Sequence, residues 1–172
     1  MNLITKRVHM NRCNGREVKQ LTLDRDFNVP DARPDALQIM KEQGEVQIEE
    51  VHMMEGKASV KGLLHFQILY ASDGDIPVSE MTGTIPFEET IPLPQAKAED
   101  EISVQAEIGD LKSELINSRK LGMKAIVVLN VTAGSVCDGE GAIDIEGGED
   151  IYTKKRTAEV SYLVFSKKDT LR

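Results

Sequence analysis

The sequence predicts an all-β, mostly antiparallel fold: a β-sandwich-like domain of about seven or eight strands with one short helix near residues 34–43. Three observations carry this. The dominant hydrophobic period is two, clearest in "GEVQIEEVHMMEGKASVKGLLHFQILY" (residues 44–70). Turn residues punctuate the alternating runs, as in Met54-Glu55-Gly56-Lys57 and Ser72-Asp73-Gly74-Asp75. The strands are also too many for one open sheet, whose apolar face would stay wet. Forty per cent of the 172 residues are apolar, with no Trp, so aliphatic and Met side chains must fill the core.

Taken in order, "REVKQLTLDRDFNV" (residues 16–29) reads as a first strand. Pro34 suits a first helical position, Asp31 or Asp35 an N-cap or turn, and Gly44 a C-cap, so "PDALQIMKEQG" is expected to be helical. The next two strands form a hairpin about the X-Gly pair Glu55-Gly56. If Met54 pairs with Lys57, Met53 faces Ala58 and Val51 faces Val60. Val46 and Ile48 then have the wrong parity, and one extra residue at Glu49-Glu50, a β-bulge, restores it. The inward set becomes Val46, Ile48, Val51, Met53, Val60, Leu64, Phe66, Ile68 and Tyr70.

Met81, Gly83, Ile85 and Phe87 alternate in the following strand. Pro86 and Pro92 lack ladder donors and place it at an edge or a bulge. "PLPQAKAEDE" reads as a solvated connection and "ISVQAEIGDL" as a strand through Ile102, Val104, Ala106 and Ile108. "LGMKAIVVLNVTA" is apolar at both parities from Ala125 to Leu129, so it reads as a strand covered on both faces. "CDGEGAIDIEGGED" reads as an acidic Gly-rich loop and "YTKKRTAEVSYLVFSKK" as a last strand. A repeat is hinted at, since Val60-Lys61-Gly62 corresponds to Met123-Lys124-Ala125, each leading into a long apolar strand.

Charge and residue types narrow the chemistry. A net charge of −8 argues against the nucleic-acid backbone as main partner. No apolar run spans a membrane, and "MNLITKRVHMNRC" has no signal-peptide h-region. Cys13 and Cys137 are too few and too distant for a disulfide framework or zinc site, which suggests a reduced, cytoplasmic setting. His52 and His65 fall on outward parity and lie apart along the ladder, so they do not suggest a shared metal. "DRDFNVPDARPD" lacks the Gly and closing Glu of a calcium loop. No phosphate loop and no nucleophile elbow occur, and Asp138 beside Cys137 disfavours a thiolate. No catalytic, cofactor or metal residues are assigned.

Asn117, Ser118, Arg119 and Lys120 stand out, a polar, basic block set against the most apolar run. They read as a hairpin corner in which Asn117 or Ser118 bonds backbone, or as a basic recognition spot on an acidic protein. Strand alternation sends Arg119 and Lys120 to opposite faces. Arg119, sharing parity with Leu121 and Met123, is expected to lean inward onto the acids or carbonyls of residues 26–35. Lys120 is expected to stay free for a partner.

Together, "DFNVPDARPDALQIMKEQGEVQIEEVHMMEGKASVKGLLHFQILYASD" and "ELINSRKLGMKAIVVLNV" resemble the SPOCS domain of SipL-type spore coat morphogenetic proteins. That family's pattern is a "VPDAKPDI" opening, a Gly-turn hairpin and an "ELINSRKL" block before an apolar strand. The resemblance implies a non-enzymatic scaffold of the spore envelope, in the mother-cell cytoplasm at the forespore surface. It implies coat morphogenetic proteins as partners and a homo-oligomer as one assembly. In relatives, a LysM domain contacts the coat ATPase SpoIVA, and no residue here matches that domain. The chain is accordingly expected to be a first module of a longer protein: a strand or extension over 1–23, a SPOCS-like β domain over 24–136, the acidic loop over 137–150, and a last strand and junction over 151–172. The rival reading is a carbohydrate- or peptidoglycan-binding module, which needs exposed aromatic platforms.

Overall fold

The computed structural model describes residues 2–73, 75–146, 154, 156 and 157. It contains six strands: β1 (Asn2–Asn28), β2 (Ala36–Met54), β3 (Lys57–Ser72), β4 (Val78–Pro92), β5 (Glu101–Asn117) and β6 (Lys120–Glu146). They form two three-stranded sheets, ordered β1-β6-β5 and β2-β3-β4. The chain divides into two compact units, Asn14–Ala133 and Met1–Cys13 with Gly134–Arg172. β1 and β6 contribute to both.

The larger unit holds the sandwich. β2 and β3 pair as alternation requires: Met54 with Lys57, Val51 with Val60, Ile48 with Gly62, and Val46 with Leu64. The register shifts between Ile48 and Glu50, which leaves Glu49 as the extra residue of a bulge. Gly56 has a φ of 72°, the left-handed value that a tight hairpin turn demands. β4 is a sheet edge, consistent with its two prolines, and Met81, Ile85 and Phe87 are buried.

Between the sheets, Ala58, Val60, Phe87 and Ile91 meet Leu21, Val127, Leu129 and Val131. Toward the other end Leu64, Phe66, Ile68 and Met81 meet Leu121, Met123 and Ala125. Two glycines shape this interior. A Cβ on Gly62 would lie 2.6 Å from both the Gln47 carbonyl oxygen and the Phe87 ring. A Cβ on Gly83 would lie 2.4 Å from the Phe66 ring. Gly62 pairs with Phe87 and Phe66 with Gly83, so the far end of each ring occupies the space that a side chain on its cross-strand glycine would need. Phe27 then stacks edge-on against Phe66, with ring centroids 4.6 Å apart.

Several expectations are corrected. The described residues contain no helix and six strands, where seven or eight strands and one helix were expected over the whole chain. Residues 36–44 open β2, with Gly44 paired to Phe66 rather than capping a helix, and Asp31 and Asp35 lie in the preceding loop rather than at an N-cap. Register shifts at Ala36/Gln38 and Ile39/Lys41 explain the error. Each bulge turns a spacing of two into three, so Ala36 and Ile39 mimic a helical face. Gly44 also leaves room for Ile108 and Leu111, whose side chains would lie 3.1 Å from its Cβ.

Among the described residues β6 is fully buried on one face only. Ala125, Val127 and Leu129 are buried, whereas Ile126 and Val128 are half-buried on the outer face. "PLPQAKAEDE" is not wholly solvated, because Leu93, Ala96 and Asp100 are buried. Residues 137–146 extend β6 instead of looping. In that smaller unit Asp138 takes Arg7 and His9 as partners, and the Arg7 hydrogen bond is the leading cause that holds its carboxyl below the usual range. Of the expected last strand only Lys154, Arg156 and Thr157 are described, none of them as strand, and Tyr152, Tyr162 and Phe165 lie outside the described residues.

Candidate functional site

The polar block 117–120 is a two-residue hairpin turn. β5 ends at Asn117, β6 begins at Lys120, and Ser118-Arg119 form the turn. The Asn117 side-chain oxygen accepts a hydrogen bond from the Arg119 backbone N–H at 2.9 Å, the local bond that suits Asn to turns. This turn is the counterpart of Glu55-Gly56. Lys57 and Lys120 follow the two turns, and Val60 and Met123, three residues further on, are both buried. Each turn leads into the central strand of its sheet. The hinted repeat of Val60-Lys61-Gly62 with Met123-Lys124-Ala125 therefore occupies equivalent places.

The turn grips the segment that carries the chain from β1 in one sheet to β2 in the other. Its backbone accepts twice: the Val29 N–H donates to the Arg119 carbonyl and the Ala36 N–H to the Ser118 carbonyl, both at 2.8 Å. The Ser118 hydroxyl donates to Asp35 Oδ2 at 2.8 Å. The Arg119 guanidinium then fills the bend of the crossing. Nη1 donates to the Arg33 carbonyl at 2.8 Å and to Asp35 Oδ1 at 3.1 Å. Nη2 reaches the carbonyls of Val29 at 3.2 Å and Pro30 at 3.1 Å, and Asp31 Oδ1 at 3.3 Å. A planar fork with several donors can serve three carbonyls and two carboxylates together; a lysine ammonium cannot.

Arg119 thus leans onto the acids and carbonyls of the 29–35 loop. Lys120 is not free as expected: its ammonium lies 2.6 Å from Asp26 Oδ2 on β1. Lys124 approaches Asp24 at 3.8 Å in the same way. The acids that crowd Asp24 to Asp35 are therefore the counter-charges of this corner. Residue order alone could not pair them, because the partners are about ninety positions apart.

A second clamp, which sequence reasoning missed, closes the opposite crossing from β4 to β5. The Gly56 N–H donates to the Ala96 carbonyl at 3.0 Å, and the Leu93 N–H to the Gly56 carbonyl at 2.8 Å. Asp100, only 6% exposed, accepts from the Lys97 N–H at 2.8 Å and from the Asn14 amide at 2.9 and 3.0 Å. Its only sequence signal was a lone Asp ending a connection, which is too common to single out. The two crossings are thus pinned by the hairpin turns beside them.

These groups bind backbone and one another. His52 lies on the outer face, 2.7 Å from Glu50, and His65 meets Gln47 at 3.2 Å. Arg119 is spent on the loop. What the unit presents outward is its sheet edges and faces.

Residues 35–116 match the family model described as SipL, SPOCS domain. The match covers β2 to β5 and ends just before the Asn117–Lys120 turn. No curated protein and no solved structure matches the chain.

Proposed function

Because residues 35–116 carry a SPOCS domain of the SipL family, a family with a sporulation-related role, we propose that the chain is a non-enzymatic scaffold module of spore-envelope assembly. The family match is the observation that carries this reading. The module acts by protein–protein contact through its sheet edges, in the mother-cell cytoplasm at the forespore surface. Its partners are coat morphogenetic proteins, and in a longer protein the coat ATPase SpoIVA is reached through other domains. The doubly pinned sandwich supports this role, since a scaffold must hold its contact surfaces in fixed register. The carbohydrate-binding alternative has less support: Phe66, Tyr70 and Phe87 are buried and Phe27 is packed on Phe66, so none of the described aromatics among these offers a flat sugar platform.

The test is deletion of residues 35–116 from the chromosomal copy in a sporulating cell, with a fluorescent coat protein as reporter. Displacement of the coat from the forespore is expected. A normally placed coat, with the deleted protein present at wild-type level, overturns the proposal.

A further inference from the structure

Among the described residues the sandwich has four sheet edges, and three are blunted. β4 carries Pro86 and Pro92, β2 carries three register shifts, and β5 packs alongside β2, where Ile108 and Leu111 crowd Gly44. β1 is the exception. From Asn14 to Asn28 it has no proline, and among the described residues no other strand pairs with its outer edge.

The side chains on this edge are charged in a particular order. Even-numbered residues from Arg16 to Asn28 are exposed; Leu21 is buried, and Lys19, Leu23 and Phe27 are half-buried. Arg16, Glu17 and Arg25 are exposed and make no ion pair among the described residues. Glu17, Lys19 and Arg25 share the parity of the core-facing Leu21. Inward-parity charge of this kind deters an arbitrary strand.

It does not deter a second copy. Antiparallel pairing about a two-fold axis at Leu21 sets Glu17 opposite Arg25 and Arg16 opposite Asp26, each pair occurring twice. Any register that shifts the axis by half a residue sets core-facing positions against solvent-facing ones. Moving the axis to Gln20 loses the Glu17–Arg25 pairs, and moving it to Thr22 sets Lys19 against Arg25. We propose that residues 16–26 of β1 are a self-association edge, through which two copies of this chain join their β1-β6-β5 sheets into one six-stranded sheet. Asp26 keeps its own Lys120 and gains Arg16 of the second copy, forming a three-charge chain on the outer face. The inference refines the sheet-edge part of the scaffold reading, yet it is read from β1, which lies outside the matched span 35–116.

The experiment is sedimentation of the full chain over a concentration series up to near-millimolar, for wild type, Glu17→Arg, Arg25→Glu, and an equimolar mixture of the two variants. Wild type is expected to form dimers. Each variant alone sets like charges opposite each other twice, and its dimer dissociation constant is expected to rise about tenfold or more. The mixture is expected to dimerise again, because both cross-strand pairs become Arg–Glu. Circular dichroism checks that both variants keep the wild-type fold, and since both side chains are exposed they are expected to. A wild type that stays monomeric overturns the proposal, as does a dimer indifferent to either reversal, or a mixture no tighter than its components. Any of these leaves coat displacement on deletion of 35–116 intact, so the two readings fail separately.

Discussion

Replacing Arg119 with alanine removes three guanidinium–carbonyl bonds and two carboxylate contacts. Bonds to a charged group contribute about 1.5–3 kcal/mol each when sheltered. The Arg119 side chain is 35% exposed and Asp31 lies fully in solvent, so the two ion pairs are screened to a few tenths of a kcal/mol. The freed carbonyls also regain water. The net loss is expected to be about 2–3 kcal/mol, and the melting temperature should fall by roughly 6–12 °C for a unit of this size. Arg119→Lys keeps the charge but not the fork and should recover less than half. Arg119→Glu adds repulsion from Asp31 and Asp35 and should cost most. Lys120→Glu loses one half-exposed pair with Asp26 and should cost under about 1 kcal/mol. Chemical denaturation followed by circular dichroism reads all four. A loss below about 0.5 kcal/mol for Arg119→Ala, or full rescue by lysine, would refute the view that the guanidinium pins the crossing.

Gly56→Val should destabilise by about 1 kcal/mol or more because of its φ of 72°. Gly62→Ala, which meets the Gln47 carbonyl at 2.6 Å, should cost about 2–3 kcal/mol, whereas Gly109→Ala, with its nearest neighbour at 3.5 Å, should be neutral or slightly stabilising in the same melts. On β6, Leu129→Ala should lose about 2–4 kcal/mol and Val128→Ala under about 1 kcal/mol; equal losses would mean that both faces are covered in solution. The Glu50 carboxyl is held below the usual glutamate range, chiefly by the hydrogen bond from His52 and then by the His52 charge, with Lys61 adding to it. Because the folded value is lowered, this contribution is present above the unfolded value and fades as pH falls through the folded one. Carboxyl NMR should find a low titration midpoint for Glu50 that moves up in His52→Gln.

How much of this was legible in the sequence varies along the chain. In β3 every second residue from Ala58 to Tyr70 is apolar or Gly, and the Glu55-Gly56 turn fixes its register with β2, so both strands, the bulge at Glu49 and the inward set followed from alternation alone. A bulge can be inferred when clear alternation flanks it on both sides. At Ala36 to Lys41 two bulges fall within six residues, no run is left to set the parity, and a strand imitates a helix between Pro34 and Gly44.

The sequence by itself determined the all-β class, the turn at Gly56 and the leaning of Arg119 toward the acids of residues 26–35, and it offered the corner at Asn117 to Lys120 as one of two readings, because these depend on backbone preferences and on parity, which are local. Tertiary structure alone decided which acids take Lys120 and Lys124, that Asp100 is buried, that β6 has one dry face, and that residues 137–146 continue as strand. Each of those depends on what another, distant part of the chain places alongside. Hydrophobicity records that a residue can be buried, while only the packing of the second sheet says which face is.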